Sequence, residues 1–277
     1  MPTIDELVAS LTLEPTGTDR YRAPNVPSAH GVVFGGQLLA QSVVAGQRGH
    51  DGMAVKTVHT VFARSARPDQ GVEIVVDPMH AGRTFASSTV TVLQGDRLCT
   101  RSLVLLSSDD DDVIRHADAP SRSTGPDDPG TTRGGEGDWE IRVVDGVDLS
   151  DPDEVGPAEL DVWTRFRGAP DDATVSQALL AFATDGFLIG TAMRPHPGVG
   201  QAQAHRTLST GVVSHTLTFH EPLAAGDWLL LSHRSPYAGR GRSYGRADVF
   251  RADGQLVASF VQDAMIRPMP ASGGGNL

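Results

Sequence analysis

The sequence contains a single cysteine, Cys99, among its 277 residues. One thiol cannot form a disulfide within the chain, and it cannot supply the paired cysteines of a CxxC-type metal site. Aromatic residues are also few, at 5%, while the apolar fraction of 39% is that of an ordinary soluble globular protein. A chain of this length buries enough apolar surface to fold as one large or two small domains without such crosslinks.

Positive charge is scarce as well. Lys and Arg number 23 against 34 Asp and Glu, which gives a formal net charge of −11. Non-specific binding to nucleic acid or to an anionic membrane needs clustered positive charge, so the composition argues against both. No apolar run approaches the roughly 18 residues of a membrane span, and the first residues do not have the pattern of a signal peptide. We therefore expect a cytoplasmic protein.

Several catalytic motifs are missing from the sequence. It has no H-E-x-x-H, no phosphate-binding P-loop and no G-x-G-x-x-G that opens a helix. Residues 241–245 read G-x-S-x-G, but that nucleophile motif requires a helix after the serine and a later histidine. A strand-like alternation follows instead, and the last histidine is His233. The ten histidines lack ligand spacing, so we predict no metal site and interpret His59 and His215 as structural hydrogen-bonding residues.

An acidic segment rich in Pro, Ser and Gly divides the chain. Residues 108–137 contain too little apolar surface to offset the cost of ordering, so we predict a disordered linker there. We interpret its four consecutive aspartates, 109–112, as a solvated loop, because the ligand spacing of a calcium loop does not follow. The linker separates two predicted domains, 1–107 and 138–268, and residues 269–277 are a predicted flexible tail.

The two domains repeat the same order of motifs. Three motifs recur: His59-Thr as His215-Thr, Ala81-Gly-Arg as Ala238-Gly-Arg, and the turn at Gly95 as the turn at Gly254. Subtraction gives nearly constant offsets of 156, 157 and 159 residues. A helix-like run precedes each set, and strand-like runs follow. We infer an internal duplication of one long helix followed by an antiparallel meander.

The second copy has the clearer pattern. Its helix-like run from Val175 to Ala183, with Thr174 and Gln177 at capping-box spacing, is apolar on almost all sides and must be buried. The strands predicted after it are Trp228–Leu231, Tyr244–Phe250 and Leu256–Ile266. A buried helix wrapped by an antiparallel sheet is the hot-dog architecture. The predicted fold class is therefore α+β, a double hot-dog with two tandem repeats.

Two polar residues interrupt the apolar pattern of this second copy. Gln262 is the one polar residue on one face of the last strand, and Asp185 shares an apolar stripe of the helix. Buried amides and carboxylates need hydrogen-bond partners, which the nearby backbone can supply, and Asp185 can equally mark a helix end. The first helix, 35–49, has no acidic residue, and the position that matches Gln262 at offset 159 is Leu103. Because only one copy carries the pair, we favour a functional role, with one site per duplicated chain.

At these residues the sequence resembles the acyl-CoA thioesterase II (TesB-like) family. The similarity runs from about residue 5 to residue 268 and is weakest in the acidic linker. The segments that carry it are Phe34-Gly-Gly-Gln37, His59-Thr-Val-Phe-Ala-Arg64, Phe182-Ala-Thr-Asp185, Phe219-His-Glu-Pro222 and Asp253 to Gln262. The resemblance implies an acyl-CoA thioester hydrolase that releases a free fatty acid and coenzyme A.

The resemblance also implies the roles of the site residues. Family members hydrolyse the thioester without a covalent intermediate, through a water held by an Asp, a Gln and a Thr or Ser hydroxyl. Asp185 and Gln262 match the first two positions, but the third is Val212. We therefore expect Thr210, moved into place by a bulge at the glycine that follows it, to supply the hydroxyl, with Ser214 as the alternative.

Further roles follow from helix ends and charge. The backbone amides at Gly36 and Gln37 open a helix and are candidate oxyanion donors. Coenzyme A carries several phosphates, and the candidate contacts for them are Arg64, Arg67, Arg83, Arg240 and Arg242. The resemblance implies no cofactor besides the acyl-CoA substrate, and a homo-oligomer (dimer or tetramer) formed through the sheets. The charge balance predicts no nucleic-acid or membrane partner.

One other function stays open at this point. A non-catalytic protein that binds acyl-CoA or an acyl carrier fits the same fold, and the altered third position would then reflect lost activity. A hot-dog hydratase is disfavoured, because it needs a histidine five residues after the aspartate and that position is Gly190.

Overall fold

The computed structural model describes residues 2–27, 31–121, 124–134 and 137–269. Residues 270–277 of the predicted tail and 122, 123, 135 and 136 of the predicted linker lie outside the described residues. The α-helices of the described ranges are α1 (Ile4–Ser10), α2 (Gly35–Gln47), α3 (Ala173–Ala183) and α4 (Leu188–Met193). The strands are β1 (Glu14–Gly17), β2 (Arg20–Ala23), β3 (Ala54–Phe62), β4 (Val72–Ala81), β5 (Phe85–Gln94), β6 (Arg97–Ser107), β7 (Thr132–Gly134), β8 (Trp139–Val143), β9 (Glu159–Phe166), β10 (Leu208–Phe219), β11 (Leu229–Gly239), β12 (Arg242–Arg251) and β13 (Leu256–Pro268).

The strands form one antiparallel sheet in two similar halves. Its order is β1-β2-β4-β5-β6-β3-β10-β13-β12-β11-β9-β8-β7, and the halves join where β3 pairs with β10. On the inner face, α2 packs on β3, β5 and β6, α4 packs on β11 and β12, and α3 packs against α2. A helix held against each half of a curved antiparallel sheet confirms the predicted double hot-dog fold.

The central helix of the second half differs from its prediction at both ends. The N-cap of α3 is Asp172, whose carboxylate accepts a hydrogen bond of 2.8 Å from the backbone amide of Val175, so the predicted capping role of Thr174 is wrong. The helix ends at Ala183 with Thr184 as its C-cap. Asp185 therefore lies on the turn between α3 and α4 rather than within a continuous helix stripe.

The segment from Ala173 to Met193 is long and apolar enough to span a membrane by length and composition alone. This finding qualifies the expectation that no run approaches the length of a membrane span. The segment comprises α3, the turn at Asp185 and α4, and 56% of its most apolar window is buried inside the protein, as in the core helix of a globular protein.

The G-x-S-x-G segment lies at a tight hairpin. Arg240 and Gly241, with φ angles of 55° and 72°, form the two-residue turn between β11 and β12. Positive φ at both positions matches the right-handed twist of a hairpin. The segment therefore continues into a strand, as predicted, and not into the helix that a nucleophile motif requires.

The predicted linker is partly structured. Residues 132–134 form β7, which pairs with β8, so the prediction of a disordered linker as far as residue 137 is wrong at that point. Asp112, in the run of four aspartates, forms an exposed ion pair of 2.6 Å with Arg115, which also contacts Glu221 on the body of the protein.

Candidate active site

Asp185 lies where the end of α3 meets the start of α2. The backbone amide of Gly36 donates a hydrogen bond of 3.0 Å to Asp185 Oδ2. A Cβ at Gly35 would lie 2.7 Å from that same oxygen, and a Cβ at Gly36 would lie 2.3 Å from the carbonyl oxygen of Phe182. The two glycines are therefore required for the first helix of one half to approach the carboxyl of the other.

Gln262 extends from the inner face of β13 to the other carboxylate oxygen. Its Nε2 donates a hydrogen bond of 3.1 Å to Asp185 Oδ1, and the side chain is 2% exposed. Its carbonyl oxygen, Oε1, is buried and accepts no hydrogen bond from the described residues. The structure thus brings together the two polar residues that interrupt the apolar pattern of the sequence, and leaves one acceptor beside the carboxyl.

Burial raises the pKa of Asp185 to about 7. The apolar surroundings penalise the charged carboxylate, and the hydrogen bond from the Gly36 amide opposes that effect by favouring it. A carboxyl with this pKa is present in both protonation states near neutral pH. It can therefore take a proton from a water and later release it.

His215 and Thr184 are buried polar residues beside this pair. His215 lies directly opposite Gln262 in the pairing of β10 with β13 and stacks on Phe260. Its Nε2 is 3.1 Å from the hydroxyl of Thr184, the residue before Asp185. Burial and the nearby His59 lower the pKa of His215 to about 3, so the imidazole is neutral. His215 is a hydrogen-bonding residue, as predicted, but no pattern in the sequence indicates Thr184 as its partner.

The two residues expected to supply the third hydroxyl do not reach the site. Ser214 lies on the outer face of the sheet and contacts Asp263 Oδ2 at 3.1 Å. Thr210 lies opposite Ile266, four residues along β13 from Gln262, which is a separation of about 13 Å along the strand. Both expectations are therefore wrong.

The physical reason is the position of the bulge. The register of β10 shifts between Val212 and Ser214, so the bulged residue is Val213 and not Gly211. The bulge leaves Val212 opposite Ala264, on the same face as Gln262, and it does not move Thr210 toward the carboxyl. An apolar side chain thus occupies the position at which the resemblance implies a hydroxyl.

The expected oxyanion donors are also engaged elsewhere. The amide of Gly36 is used by Asp185, and the amide of Gln37 donates to the carbonyl of Phe34. The side chain of Gln37 is buried against the preceding loop, where it contacts Val26 and Asn25. The start of α2 therefore stabilises the carboxylate of the protein, and the role of Gly36 and Gln37 as donors to the substrate oxygen stays a prediction.

The five candidate arginines are all exposed and are divided between the two ends of the sheet. Four lie at the end where β3 finishes: Arg64, Arg67, Arg240 and Arg242. Arg83 lies in the loop between β4 and β5, at the end where β3 begins. These ends are about 27 Å apart for a nine-residue strand. His215 pairs with Thr60, two residues from the end with four arginines, and Gln262 pairs with His215 on its other side.

The corresponding position in the first half is apolar. In each half a bulged residue follows the hairpin turn: Cys99 in β6 and Val257 in β13. The residue five positions after Cys99 is Val104, and the residue five positions after Val257 is Gln262. Val58 pairs with Val104, as His215 pairs with Gln262. The counterpart of Gln262 is therefore Val104; Leu103, expected from the offset of the turns, lies on the outer face and is 50% exposed.

A cavity of about 660 Å³ lies elsewhere in the second half. It is lined by outer-face residues of the last strands, such as Arg234 and Asp248, and by linker residues such as Asp118. Neither Asp185 nor Gln262 lines it, so this cavity is separate from the carboxyl site.

Comparison with known proteins identifies the family. The model of the acyl-CoA thioesterase N-terminal domain matches residues 23–107, and the model of the C-terminal domain matches residues 112–266. Acyl-coenzyme A thioesterase 8 of Mus musculus is 25% identical, and the match covers 94% of this chain and 88% of that protein.

Solved structures agree with these matches. Acyl-CoA thioesterase II TesB2 from Mycobacterium marinum superposes with a TM-score of 0.80 at 26% identity, over 98% of this chain and 99% of that one. A hot-dog protein of unknown function from Alicyclobacillus acidocaldarius has a TM-score of 0.76 at 19% identity, over 96% and 98% of the two chains, and supports the fold alone. Since the family models cover most of its length, this chain belongs to the TesB-like acyl-CoA thioesterases, which are thioester hydrolases.

Proposed function

We propose that this protein hydrolyses fatty acyl-CoA to a free fatty acid and coenzyme A, with a water that Asp185 activates and Gln262 positions. The observation that carries the proposal is the buried carboxyl of Asp185, whose pKa is about 7 and which is hydrogen-bonded to Gln262. A buried carboxyl with a raised pKa is costly for folding, and such groups are concentrated at catalytic sites.

The reaction needs only these side chains and one water. The water donates one hydrogen to the Asp185 carboxylate and the other to the free Oε1 of Gln262, which fixes its lone pair toward the thioester carbonyl. As the water oxygen bonds to the carbonyl carbon, its proton passes to Asp185. The tetrahedral intermediate then expels the thiolate, the carbon–sulfur bond breaks, and Asp185 returns its proton to the sulfur. No cofactor or metal takes part in this scheme.

Two side chains hold the water in this scheme, because Val212 cannot contribute a hydroxyl. Compared with a site in which three side chains hold the water, this site lacks one hydrogen bond, which is worth about 1 kcal/mol. A thioester is reactive enough to be hydrolysed by a positioned water, so the loss lowers the rate without abolishing the reaction.

The substrate's nucleotide end would be held at the end of the sheet nearer the site. Arg64, Arg67, Arg240 and Arg242 are exposed there and make no ion pair with the described residues. Their positive charges favour the phosphates of coenzyme A despite the net charge of −11. Arg83 lies at the other end and is not part of this proposed contact.

We also propose that the protein is cytoplasmic and that it forms a homo-oligomer. Val61 and Leu103, on the outer face of the central strands, are 48% and 50% exposed. Contact with a second copy would bury this apolar surface, and this supports assembly through the sheets.

The test is thiol release by the purified protein with acyl-CoA substrates of increasing chain length. We expect Asp185→Asn and Gln262→Ala each to lower kcat by about 100-fold or more, as for loss of general-base help. Ser214→Ala is the matched control, because Ser214 lies on the same strand as His215 but on the outer face, and we expect it to keep wild-type turnover. Near-normal turnover in Asp185→Asn would refute the mechanism, and binding of acyl-CoA without thiol release would support the non-catalytic alternative.

A further inference from the structure

His215 and Thr184 are two buried polar residues that the proposed reaction does not use. His215 is fully buried, and the fold does not require a polar group at its position, because its counterpart in the first half is the buried Val58. A neutral imidazole in an apolar core has a desolvation cost that a valine lacks. Its presence in only the half that carries Asp185 and Gln262 indicates a role connected with that pair.

The hydrogen bonds define the tautomer of the imidazole. The hydroxyl of Thr184 donates its one hydrogen to the carbonyl of Ala181, at 2.8 Å. It can therefore only accept from His215, so Nε2 carries the hydrogen and Nδ1 is a bare acceptor. Nδ1 is buried and has no hydrogen-bond partner among the described residues.

The contacts connect His215 to both members of the catalytic pair. Through Thr184 it holds the C-cap of α3, and the next residue is Asp185. Through the pairing of β10 with β13 it lies directly beside Gln262, with Phe260 stacked on its ring at 5.4 Å. Directly opposed residues of an antiparallel pair are about 5 Å apart at Cα, so a movement of the imidazole is transmitted to both residues.

We propose that His215 is a positioning residue for the Asp185–Gln262 pair. Its Nε2–H holds Thr184, and Thr184 holds the turn that places Asp185 within reach of the Gly36 amide and of Gln262. The imidazole acts as a neutral donor throughout and does not itself exchange protons with the substrate. The role rests on the proposed thioesterase reaction, but the hydrogen bond on which it depends is measurable without turnover.

Titratable groups around His215 are few. Its packing neighbours bring His59 on β3, Asp185 on the turn after α3, and His233 on β11, which contacts the other side of Phe260. Burial lowers the pKa of His233 to about 4, so it is neutral at the pH of the assay. A change in the acid limb of the pH–rate profile near pH 7 is therefore not due to His215 or His233.

The first experiment uses Thr184→Val, Thr184→Ser, His215→Val and the double variant Thr184→Val/His215→Val. We expect Thr184→Val and His215→Val each to lower kcat by about tenfold, with KM within twofold, because misplaced catalytic groups slow the chemical step more than binding. The acid limb should move to higher pH, since Asp185 loses the fixed hydrogen bond that favours its charged form. The double variant should lose no more than the poorer single variant, and Thr184→Ser should retain wild-type kcat.

Three results would overturn the proposal: equal losses in Thr184→Ser and Thr184→Val, additive losses in the double variant, or an unmoved acid limb. Val58 shows that the fold accommodates valine at the position of His215, and thermal unfolding of each variant checks this.

The ¹⁵N NMR spectrum of the wild-type imidazole is the second measurement, with the hydrogen expected on Nε2. A hydrogen on Nδ1 would refute the role even if the protein released no thiol, whereas an inactive protein with the Nε2–H tautomer would refute only the proposed reaction.

Discussion

The close contact between α2 and Asp185 makes Gly35→Ala the most direct test of the site geometry. The added Cβ would lie 2.7 Å from Asp185 Oδ2 and 3.1 Å from Cε1 of Phe62, whereas ordinary contacts begin at 3.4 Å. The carboxyl must therefore withdraw by about 0.7 Å, since the aromatic ring closes the other side. The hydrogen bond of 3.0 Å from the Gly36 amide would lengthen toward the limit of hydrogen bonding.

Two kinetic effects follow from that displacement. A misplacement of about 1 Å costs on the order of 100-fold in rate, so 0.7 Å predicts a loss of kcat between about 10- and 100-fold, or roughly 1.4 to 2.7 kcal/mol in the barrier. The pKa of Asp185 should also rise above about 7, because the Gly36 amide is the interaction that lowers it. The acid limb of the profile of kcat against pH should then move to higher pH.

The assay is thiol release measured across pH, with Gly211→Ala as the matched control. A Cβ at Gly211 meets no atom within 4 Å, although this glycine is on β10, the strand that carries His215. We expect the control to keep kcat within about twofold of wild type, as is usual for an unstrained surface change. If Gly35→Ala gave the same kcat and the same acid limb as Gly211→Ala, the close approach of α2 would have no part in catalysis and the reasoning would be wrong.

Three further predictions concern stability, rate and binding. The pKa of Asp185 rises from 3.8 unfolded to about 7 folded, so the contribution of this carboxyl to wild-type stability should fall as the pH rises from 4 to 7. Asp185→Asn should then be more stable than wild type at pH 8 by up to about 4 kcal/mol in urea unfolding, and a difference that does not change with pH would contradict this. Val212→Thr restores a hydroxyl at the third position and should raise kcat roughly two- to tenfold, the value of one hydrogen bond; an unchanged or lower kcat in a stable variant would show that position 212 does not reach the water. Replacing both Arg240 and Arg242 by Ala should raise KM for acyl-CoA roughly two- to tenfold with kcat unchanged, whereas Arg83→Ala, at the far end of the sheet, should leave KM as it is.

The fold and the buried polar positions of Asp185 and Gln262 were predictable because both depend on periodic patterns. An apolar face interrupted by one polar residue locates Gln262 on the inner face without any knowledge of its partner strand. Asp185 follows an apolar helix, and its next residue is a glycine, which is consistent with the turn that the structure shows. The two elements meet through tertiary packing, since α3 packs against α2 and β3 of the first half and Gln262 on β13 donates to the carboxyl that follows α3.

The third hydroxyl was not predictable, because its position depends on one bulge. A single extra residue reverses which face every later side chain occupies. The sequence offers Gly211 as the natural position for a bulge, yet the register shifts at Val213, where the pairing with β13 on one side and β3 on the other must both be satisfied. The neighbouring strands therefore determine the position of the bulge, and the local sequence does not indicate it.

The role of the first helix depended in the same way on tertiary packing. The amides at the start of α2 suit any negative charge, and the sequence does not say whether the charge belongs to a substrate or to the protein. The structure supplies Asp185, which approaches because Gly35 and Gly36 have no side chains. Likewise, the offset of 156 that aligns His59 with His215 joins an outer-face to an inner-face residue. The pairing of β3 with β6 and of β10 with β13 was needed to find Val58 as the true counterpart.

The asymmetry of the two halves explains why the site needs both. In the first half Gly46 packs directly on Val104, and in the second Asp185 contacts Gln262. The first half thus retains an apolar core at this place, and it contributes the α2 amide that partly offsets the burial of the carboxyl in the second. A single hot-dog unit would have to bury the carboxyl without that amide, and the pKa of Asp185 would rise further above neutrality. Joining one apolar and one polar copy in a single chain therefore sets the basicity of the site, because the donor that tunes the carboxyl belongs to the other half.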